Sequence, residues 1–431
     1  MKEPVYFLKV ELENIRCFKE KVILDLSDGN GHWKKWTVIL GDNGLGKTSI
    51  LQAIASLEII RRKDLDGTYS FSLRDGFSRK KGQPNLKIAA EVFKSNTKAQ
   101  QNKNFERDIE IVSFGISARS YGGNYYKSSK IDNIMSIYSY GANRVMGSSS
   151  LMDTFSEDNS ETLFDDTKSL INAEEWLLQL DYAASKESEV KAFAEQKRNQ
   201  VKQTLIDLLP DVSDIRFTTP VKDNLKSSVE FKTSFGWFSL QELSLGYRSM
   251  IAWMVDLAAR MFKSNPDSEN PLAEPAIVLI DEIDLHLHPK WQRIMFEYLS
   301  EKFPATQFIV TAHSPLVVQS APQEVNIVVL RKENDHVIID NNIRSVQNWR
   351  LDQILTSDLF GIESSRNNQI EIYLEERKKL LQREKLTSDE ENRLIELNGL
   401  VHRLPTADNL QDIEAMEIIR KAADLLKKKK S

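Results

Sequence analysis

Cysteine is almost missing from this chain: Cys17 is the only one. A single thiol excludes any intrachain disulfide and any Cys-x-x-Cys zinc hook. Beside Phe18 it reads as a small buried hydrophobe. Histidine is scarce too, six in 431 residues, so the pair His286 and His288 has few partners for a metal site. Long apolar runs are also lacking. The best helical stretch, Met250 to Phe262, is too short to span a bilayer and carries Asp256 and Arg260. Nothing resembles a signal peptide, because Met1-Lys2-Glu3-Pro4 leads straight into an alternating strand pattern. These absences predict a cytoplasmic protein with no membrane partner. Nor does one charge dominate: the formal net charge is −5, which gives no bulk attraction for nucleic acid. Local basic runs occur at Arg61-Arg62-Lys63, Arg79-Lys80-Lys81 and Lys427 to Lys430, so DNA contact stays open.

What is present is a globular composition, 41% hydrophobic and 28% charged. Phe7 to Leu26 alternates apolar and polar residues, predicting two strands joined by a turn around Arg16-Cys17-Phe18. Trp36 to Leu40 is a buried-strand run, and Ile50, Leu51, Ile54, Leu57 and Ile60 then repeat at helical spacing. Strands are expected at Leu86–Val92, Asp108–Ile116 and Ile134–Ser139, with a mobile Ser- and acid-rich stretch from Ser148 to Glu161. Helices follow over Ala173–Tyr182 and Lys186–Leu209. The second would be only about 35 Å long, far short of a coiled-coil arm. Strands are expected near Ile215–Thr218 and Ser228–Thr233, then Asn326–Leu330 and Val337–Ile339. A charged helical hairpin closes the chain, with Ser388-x-x-Glu391 as its capping box.

Between the first strand run and helix lies Gly41-Asp42-Asn43-Gly44-Leu45-Gly46-Lys47-Thr48, a full Gly-x-x-x-x-Gly-Lys-Thr loop. Such a loop wraps backbone N–H groups around phosphates, so Gly41, Asn43, Gly44, Leu45, Gly46, Lys47, Thr48 and Ser49 are the expected nucleotide contacts. Lys47 would reach the β- and γ-phosphates of ATP, and the Thr48 hydroxyl would bind Mg²⁺. The unbroken apolar strand Ala276 to Ile280 ends at Asp281, a second candidate Mg²⁺ ligand. Glu282 comes next, suited to polarise an attacking water. A further buried run, Gln307 to Thr311, leads to His313, placed to sense the γ-phosphate. Ser244 and Gly246, in Leu243-Ser244-Leu245-Gly246, stand at the start of the long apolar helix, where they would make either an anion site or, as the segment taken alone favours, a plain N-cap. Thr48 and Asp281 are 233 positions apart, so a large insertion splits the nucleotide site.

In order, these segments resemble the ABC-type ATPases, in particular the RecF/SMC-like branch. The resemblance implies an α/β fold: an ABC-type P-loop ATPase head with mixed sheet and helices, an antiparallel lobe, an inserted helical region and a C-terminal helical hairpin. It further implies that Glu282 is the catalytic base, that His313 is the switch histidine, and that Ser244 and Gly246 bind in trans the phosphate held by a second head. Arg16, in Asn14-Ile15-Arg16-Cys17-Phe18, is similar to the family's N-terminal element and is a candidate nucleotide contact. Where the family carries a glutamine loop, this chain has Tyr140-Gly141-Ala142-Asn143-Arg144 and no glutamine. Softer segments, Trp176 to Tyr182 and Asp352 to Gly361, resemble the Septu PtuA-like ATPases of prokaryotic anti-phage systems.

The expected divisions are residues 1–63 for the P-loop part of the head, 64–165 for an antiparallel β lobe, 166–236 for a helical insertion and strands, 237–345 for the signature, acidic-strand and histidine part, and 346–431 for a helical partner-docking region. The resemblance implies a homodimer or higher homo-oligomer through the heads. It also implies that nuclease activity belongs to a separately encoded HNH-type protein. The alternative is a RecF-like DNA-repair ATPase at DNA ends or gaps. A built-in nuclease of the OLD type is excluded by inventory: the mostly helical stretch after His313 offers no acidic cluster on strand ends to hold two metals.

Overall fold

The computed structural model describes residues 4–58, 62–63, 69–70, 86–95, 109–118, 123–126, 135–148, 156, 158–209, 211–219, 227–341, 349–360, 368–383 and 386–402. The strands are β1 Val5–Glu13, β2 Val22–Asp25, β3 Trp36–Leu40, β4 Arg62–Lys63, β5 Tyr69–Ser70, β6 Leu86–Ser95, β7 Ile109–Ala118, β8 Gly123–Tyr126, β9 Ile137–Tyr140, β10 Asp214–Phe217, β11 Val229–Thr233, β12 Gly236–Ser239, β13 Ala276–Ile280, β14 Thr306–Thr311, β15 Asn326–Glu333 and β16 His336–Asp340. The α-helices are α1 Lys47–Ala55, α2 Glu161–Phe164, α3 Ala173–Ser185, α4 Lys191–Leu208, α5 Leu245–Ser264, α6 Pro289–Lys302, α7 Pro315–Ser320, α8 Leu351–Leu355, α9 Asn368–Leu381 and α10 Ser388–His402. The chain divides into two compact units, residues 1–360 and 361–431.

In the first unit the central sheet runs β16-β15-β3-β14-β13-β9. Its pairs β15–β3, β3–β14, β14–β13 and β13–β9 are all parallel, and only β16 runs against its neighbour. A parallel sheet buried on both faces needs apolar residues pointing both ways, and the strands supply them in strict alternation. Trp36, Val38, Leu40, Val278, Ile280, Phe308 and Val310 face one core. Ile39, Ile277, Leu279 and Ile309 face the other. The first core is capped by α5 and α6, through residues such as Met254, Trp291 and Phe296. Trp36 stacks on Phe308 there, with ring centroids 4.2 Å apart. The second core packs α1 together with the antiparallel sheet β2-β1-β6-β7-β8. This is the α/β ABC-type head expected from the sequence, with its antiparallel lobe. A third sheet, β10-β11-β12, precedes the signature segment; β12, with half-buried residues throughout, had no clear alternation to mark it.

Helix α5 is too polar for a membrane and yet largely buried, because its two buried charges answer each other. Asp256 is fully buried and pairs with Arg260 one turn on, at 2.6 Å. The Tyr140 hydroxyl donates to Asp256 (3.0 Å), as does the Ile171 backbone N–H (3.2 Å). Burial, with Asp256 alongside, holds the Tyr140 phenol well above its usual pKa, so it stays a donor. Among the described residues no helix is long and apolar enough to cross a membrane.

Several sequence expectations shift. Helix α4 begins at Lys191 rather than Lys186, because Ala173–Ser185 consumes the preceding residues and a short bend separates the two. The Ser148–Glu161 stretch falls partly outside the described residues. Its C-terminal part is packed: Ser160 is fully buried, and Ser139 N–H donates to Asn159 O (2.9 Å). The runs Arg79-Lys80-Lys81 and Lys427 to Lys430 lie outside the described residues, as does Arg61. In the second unit, α9 and α10 form the expected hairpin, pinned by Arg393 to Glu376 (2.9 Å) and by Arg377 to Asn398 (2.7 Å). Its capping box is one residue earlier than expected. Thr387, not Ser388, precedes the first helical residue, and Thr387 and Glu390 exchange backbone–side-chain bonds.

The buried pair yields a stability prediction. Asp256→Ala strands the Arg260 charge in the core and should cost about 3–5 kcal/mol in urea unfolding. A loss below about 1 kcal/mol would mean that Arg260 finds another partner.

Candidate functional site

Three neighbouring parallel strands, β3, β14 and β13, end on the same edge of the sheet, and each releases one expected site segment there. From β3 the chain enters the glycine loop and then α1. Gly41 (φ 146°) has Leu330 atoms 3.0 Å from where a Cβ would stand, so the loop lies flat on β15. Gly46 caps α1 in the left-handed region (φ 92°, ψ 21°). A Cβ there would fall 2.4 Å from Cys17 Sγ and 3.1 Å from the Phe18 ring. The turn between β1 and β2 is therefore a floor beneath the phosphate loop. Cys17, half-buried, donates its thiol to Leu45 O at 3.4 Å. Arg16 (φ 48°) donates through Nη1 to Ser49 Oγ at 2.9 Å.

Lys47 is nearly buried, and its ammonium donates to the loop's own carbonyls, Gly41 O (2.7 Å) and Asp42 O (3.1 Å). Burial lowers its pKa, while Asp281, Glu282, Asp42 and Asp284 pull the other way. The Thr48 hydroxyl donates to Asp281 Oδ2 at 2.6 Å, so residues 233 positions apart are in direct contact. Asp281 Oδ1 accepts from the Thr311 hydroxyl at 2.6 Å, and the same hydroxyl accepts the Glu282 N–H at 2.7 Å. The donors around this point are hard oxygens, a hydroxyl and a carboxylate on facing segments, which fits Mg²⁺ rather than a softer metal.

Glu282 has φ 46°, a left-handed conformation that costs a non-glycine residue about 1–2 kcal/mol. It is held on both sides: its N–H by Thr311, and its carbonyl by Arg144 Nη2 at 2.9 Å. Arg144 is 5% exposed and also donates through Nη1 to Asp281 O at 2.5 Å. Burial pushes this guanidinium down to about 10, against the pull of Asp281, Asp284 and Glu282, so it is cationic at neutral pH. His313 Nε2 lies 3.9 Å from Glu282 Oε1, both side chains about one-third exposed. The His313 N–H is held by the Asp284 carboxylate at 3.2 Å. Gln292 ties the two loops together: it accepts from Ser314 Oγ (2.5 Å) and donates to Leu287 O (3.0 Å).

The loop and acidic-strand residues thus converge, with Arg16 and His313 at the margins. Ser244 and Gly246 do not join them: among the described residues no hydrogen bond links either to the glycine loop. Ser244 is the exposed N-cap of α5, and its side chain makes no capping bond. Gly246 instead lies against the loop after Glu282, where a Cβ would meet His286 O at 2.4 Å. His286 and His288 side chains are exposed, and His288 Nδ1 accepts from Lys290 N–H at the start of α6. No cluster of metal-ligating side chains occurs among the described residues. Sequence reasoning missed Arg144 and Thr311. Arg144 stands in the segment where a family glutamine was sought and not found, but its partners lie 137 and 138 positions away in the chain.

The chain is similar to several known proteins. A family described as "AAA domain, putative AbiEii toxin, Type IV TA system" matches residues 36–319. Septu protein PtuA of Bacillus mycoides (strain KBAB4) is 28% identical over 82% of this chain. The match spans only 44% of that protein's own length. The retron Vc95 probable ATPase of Vibrio cholerae serotype O1 biovar El Tor is 26% identical over 73% of each chain. Among solved structures, an SMC head bound to the C-terminal winged-helix domain of ScpA superposes with a TM-score of 0.43 at 18% identity, over 78% of this chain and 97% of that one. The chain belongs to the AAA family whose match covers its glycine loop, acidic strand and His313, and it is related to the PtuA-like ATPases that its motifs resemble.

The packing beneath the loop makes one residue decisive. Gly46→Ala forces a Cβ into Cys17 Sγ and a strained φ worth about 1–2 kcal/mol, so ATP affinity should fall roughly tenfold or more. Titration with a fluorescent ATP analogue checks this, and unchanged affinity would show that the loop does not bind phosphate in this form.

Proposed function

We propose that the protein is an ATPase whose head binds ATP with Mg²⁺, dimerises through shared sites and regulates a separately encoded HNH-type nuclease in anti-phage defence. The observation that carries the catalytic reading is the direct contact of Thr48 with Asp281, flanked by Lys47 on one side and Glu282 on the other. Phosphate binding draws on the backbone of Gly41, Asn43, Gly44, Leu45, Gly46, Lys47, Thr48 and Ser49, where Gly44 and Gly46 are left-handed and α1 begins at Lys47. Lys47 exchanges the loop carbonyls for the β- and γ-phosphate oxygens. Thr48 and Asp281 would hold Mg²⁺, which when bound would supply positive charge against the phosphates. Glu282 takes the proton of the attacking water as its oxygen bonds to the γ-phosphorus and the bridging oxygen leaves with ADP. His313, 3.9 Å from Glu282, restrains that carboxylate and answers to the γ-phosphate. Arg16 supports Ser49 at the nucleotide's flank.

The shared-site reading draws on the placement of Ser244 and Gly246. Ser244 is exposed and Gly246 half-buried at the start of a buried helix, with no hydrogen bond to their own chain's glycine loop among the described residues, as a pair serving a second head would be. The exposed Leu245 between them is an apolar residue that such an interface would cover. The defence role and the nuclease partner rest on the likeness to PtuA and to the retron ATPase.

Glu282→Gln should reduce ATP turnover by at least about a hundredfold while ATP stays bound, trapping a dimer visible by light scattering. Turnover at the parental rate would rule out Glu282 as the base. Mixing Lys47→Ala with Ser244→Arg subunits, each inactive alone, should restore turnover through one intact composite site. Activity in a strictly monomeric protein would refute the shared site.

A further inference from the structure

The strap Tyr140-Gly141-Ala142-Asn143-Arg144 leaves β9 beside the end of β13 and is fixed along its length. Asp281 N–H donates to Tyr140 O (2.9 Å), and the Tyr140 hydroxyl is anchored on Asp256. Gly141 passes so close to α2 that a Cβ would stand 2.2 Å from Thr162 O. Asn143 Nδ2 donates to Asp166 O (2.9 Å). What this rigid strap delivers is the Arg144 guanidinium. Among the described residues all its hydrogen bonds go to backbone carbonyls: Gly141 (3.1 Å), Asp281 (2.5 Å) and Glu282 (2.9 Å). Its Nε has no partner, and no carboxylate forms a salt bridge with it among the described residues. An arginine placed for stability alone would pair with a carboxylate, as Arg260 does with Asp256. Arg144 instead directs its charge to the peptide units of the two acidic residues, one of which adopts a conformation it would not choose unaided.

We infer that Arg144 is a positioning residue for hydrolysis: with Thr311 it clamps the left-handed Glu282 peptide and so keeps the Glu282 carboxylate aimed at the water beside the γ-phosphate. This rests on the reading of Glu282 as general base. Arg144 does this from the segment where the family carries its glutamine, and it does so through contacts to backbone carbonyls.

The full chain is compared as parent, Arg144→Ala, Arg144→Lys and Glu282→Gln, with turnover at saturating ATP and affinity for a fluorescent ATP analogue measured separately. For Arg144→Ala, kcat should fall about a hundredfold, the scale of a misplaced reacting group. Its nucleotide affinity should stay within a few-fold of the parent. Arg144→Lys, which keeps the charge but loses the fork, should lie between them. Millimolar guanidinium should raise turnover of Arg144→Ala and leave the parent and Glu282→Gln unchanged. Parental kcat in Arg144→Ala overturns the inference, as does a loss of kcat matched by an equal loss of affinity and not relieved by guanidinium. If the alanine variant fails to accumulate, Arg144→Lys decides, since unchanged kcat there also overturns it. Parental turnover in Glu282→Gln would instead condemn the underlying assignment of the base.

Discussion

The Asp281 carboxylate is the point on which the rest of the head depends. One oxygen accepts from Thr48, on the helix that follows β3, and the other from Thr311, at the end of β14. These bonds draw three strand ends to within a hydrogen bond of each other, and they close only because β14 lies between β3 and β13. The alternating apolar faces of those strands set that order by giving each strand two cores to fill. A charged group can stand at the sheet edge because the strands behind it are buried on both faces.

Behind the edge, a second polar arrangement runs from α5 to the acidic strand. Asp256 and Arg260 neutralise each other inside an apolar helix, and Tyr140 connects that pair to the strand that hands Arg144 to Asp281 and Glu282. The helix whose first residues are Ser244 and Gly246 is thus joined, through buried side chains, to the peptides of the candidate base. Gly246 adds a second connection by lying against His286 O, four residues beyond Glu282. The signature segment and the acidic strand end share packing on two sides, so movement of one strains the other.

Much of this was legible in the sequence, for reasons that are local. A strand of five apolar residues, a glycine loop and a 3.6-period helix in succession mark the phosphate site, because each signal lies within a few residues. The same holds for Ala276 to Asp281. What stayed hidden depends on neighbours distant in the chain. Nothing near Arg144 announces that its fork meets carbonyls 137 and 138 positions away. Thr311 reads as one more β-branched strand residue until Asp281 is beside it. Ser160 and Asn159 looked like part of a mobile polar stretch, since the burial that pays their desolvation comes from β9. The one-residue shift of the capping box to Thr387 is a boundary matter, settled by which backbone N–H groups the helix leaves unpaired.

The parallel order β3-β14-β13 also has a meaning for how the chain is made. Parallel neighbours cannot form by a simple turn; each needs the intervening crossover to be finished. The glycine loop and its floor at Cys17 and Phe18 leave the ribosome early, but the acidic partner Asp281 and the strand between them, which ends at Thr311, are made only after most of the chain. A growing chain therefore carries a complete phosphate-loop motif for most of its synthesis without a site to use it in. A fragment that ends before β14 carries the loop without the Thr311 hydroxyl that holds both the Asp281 carboxylate and the Glu282 N–H.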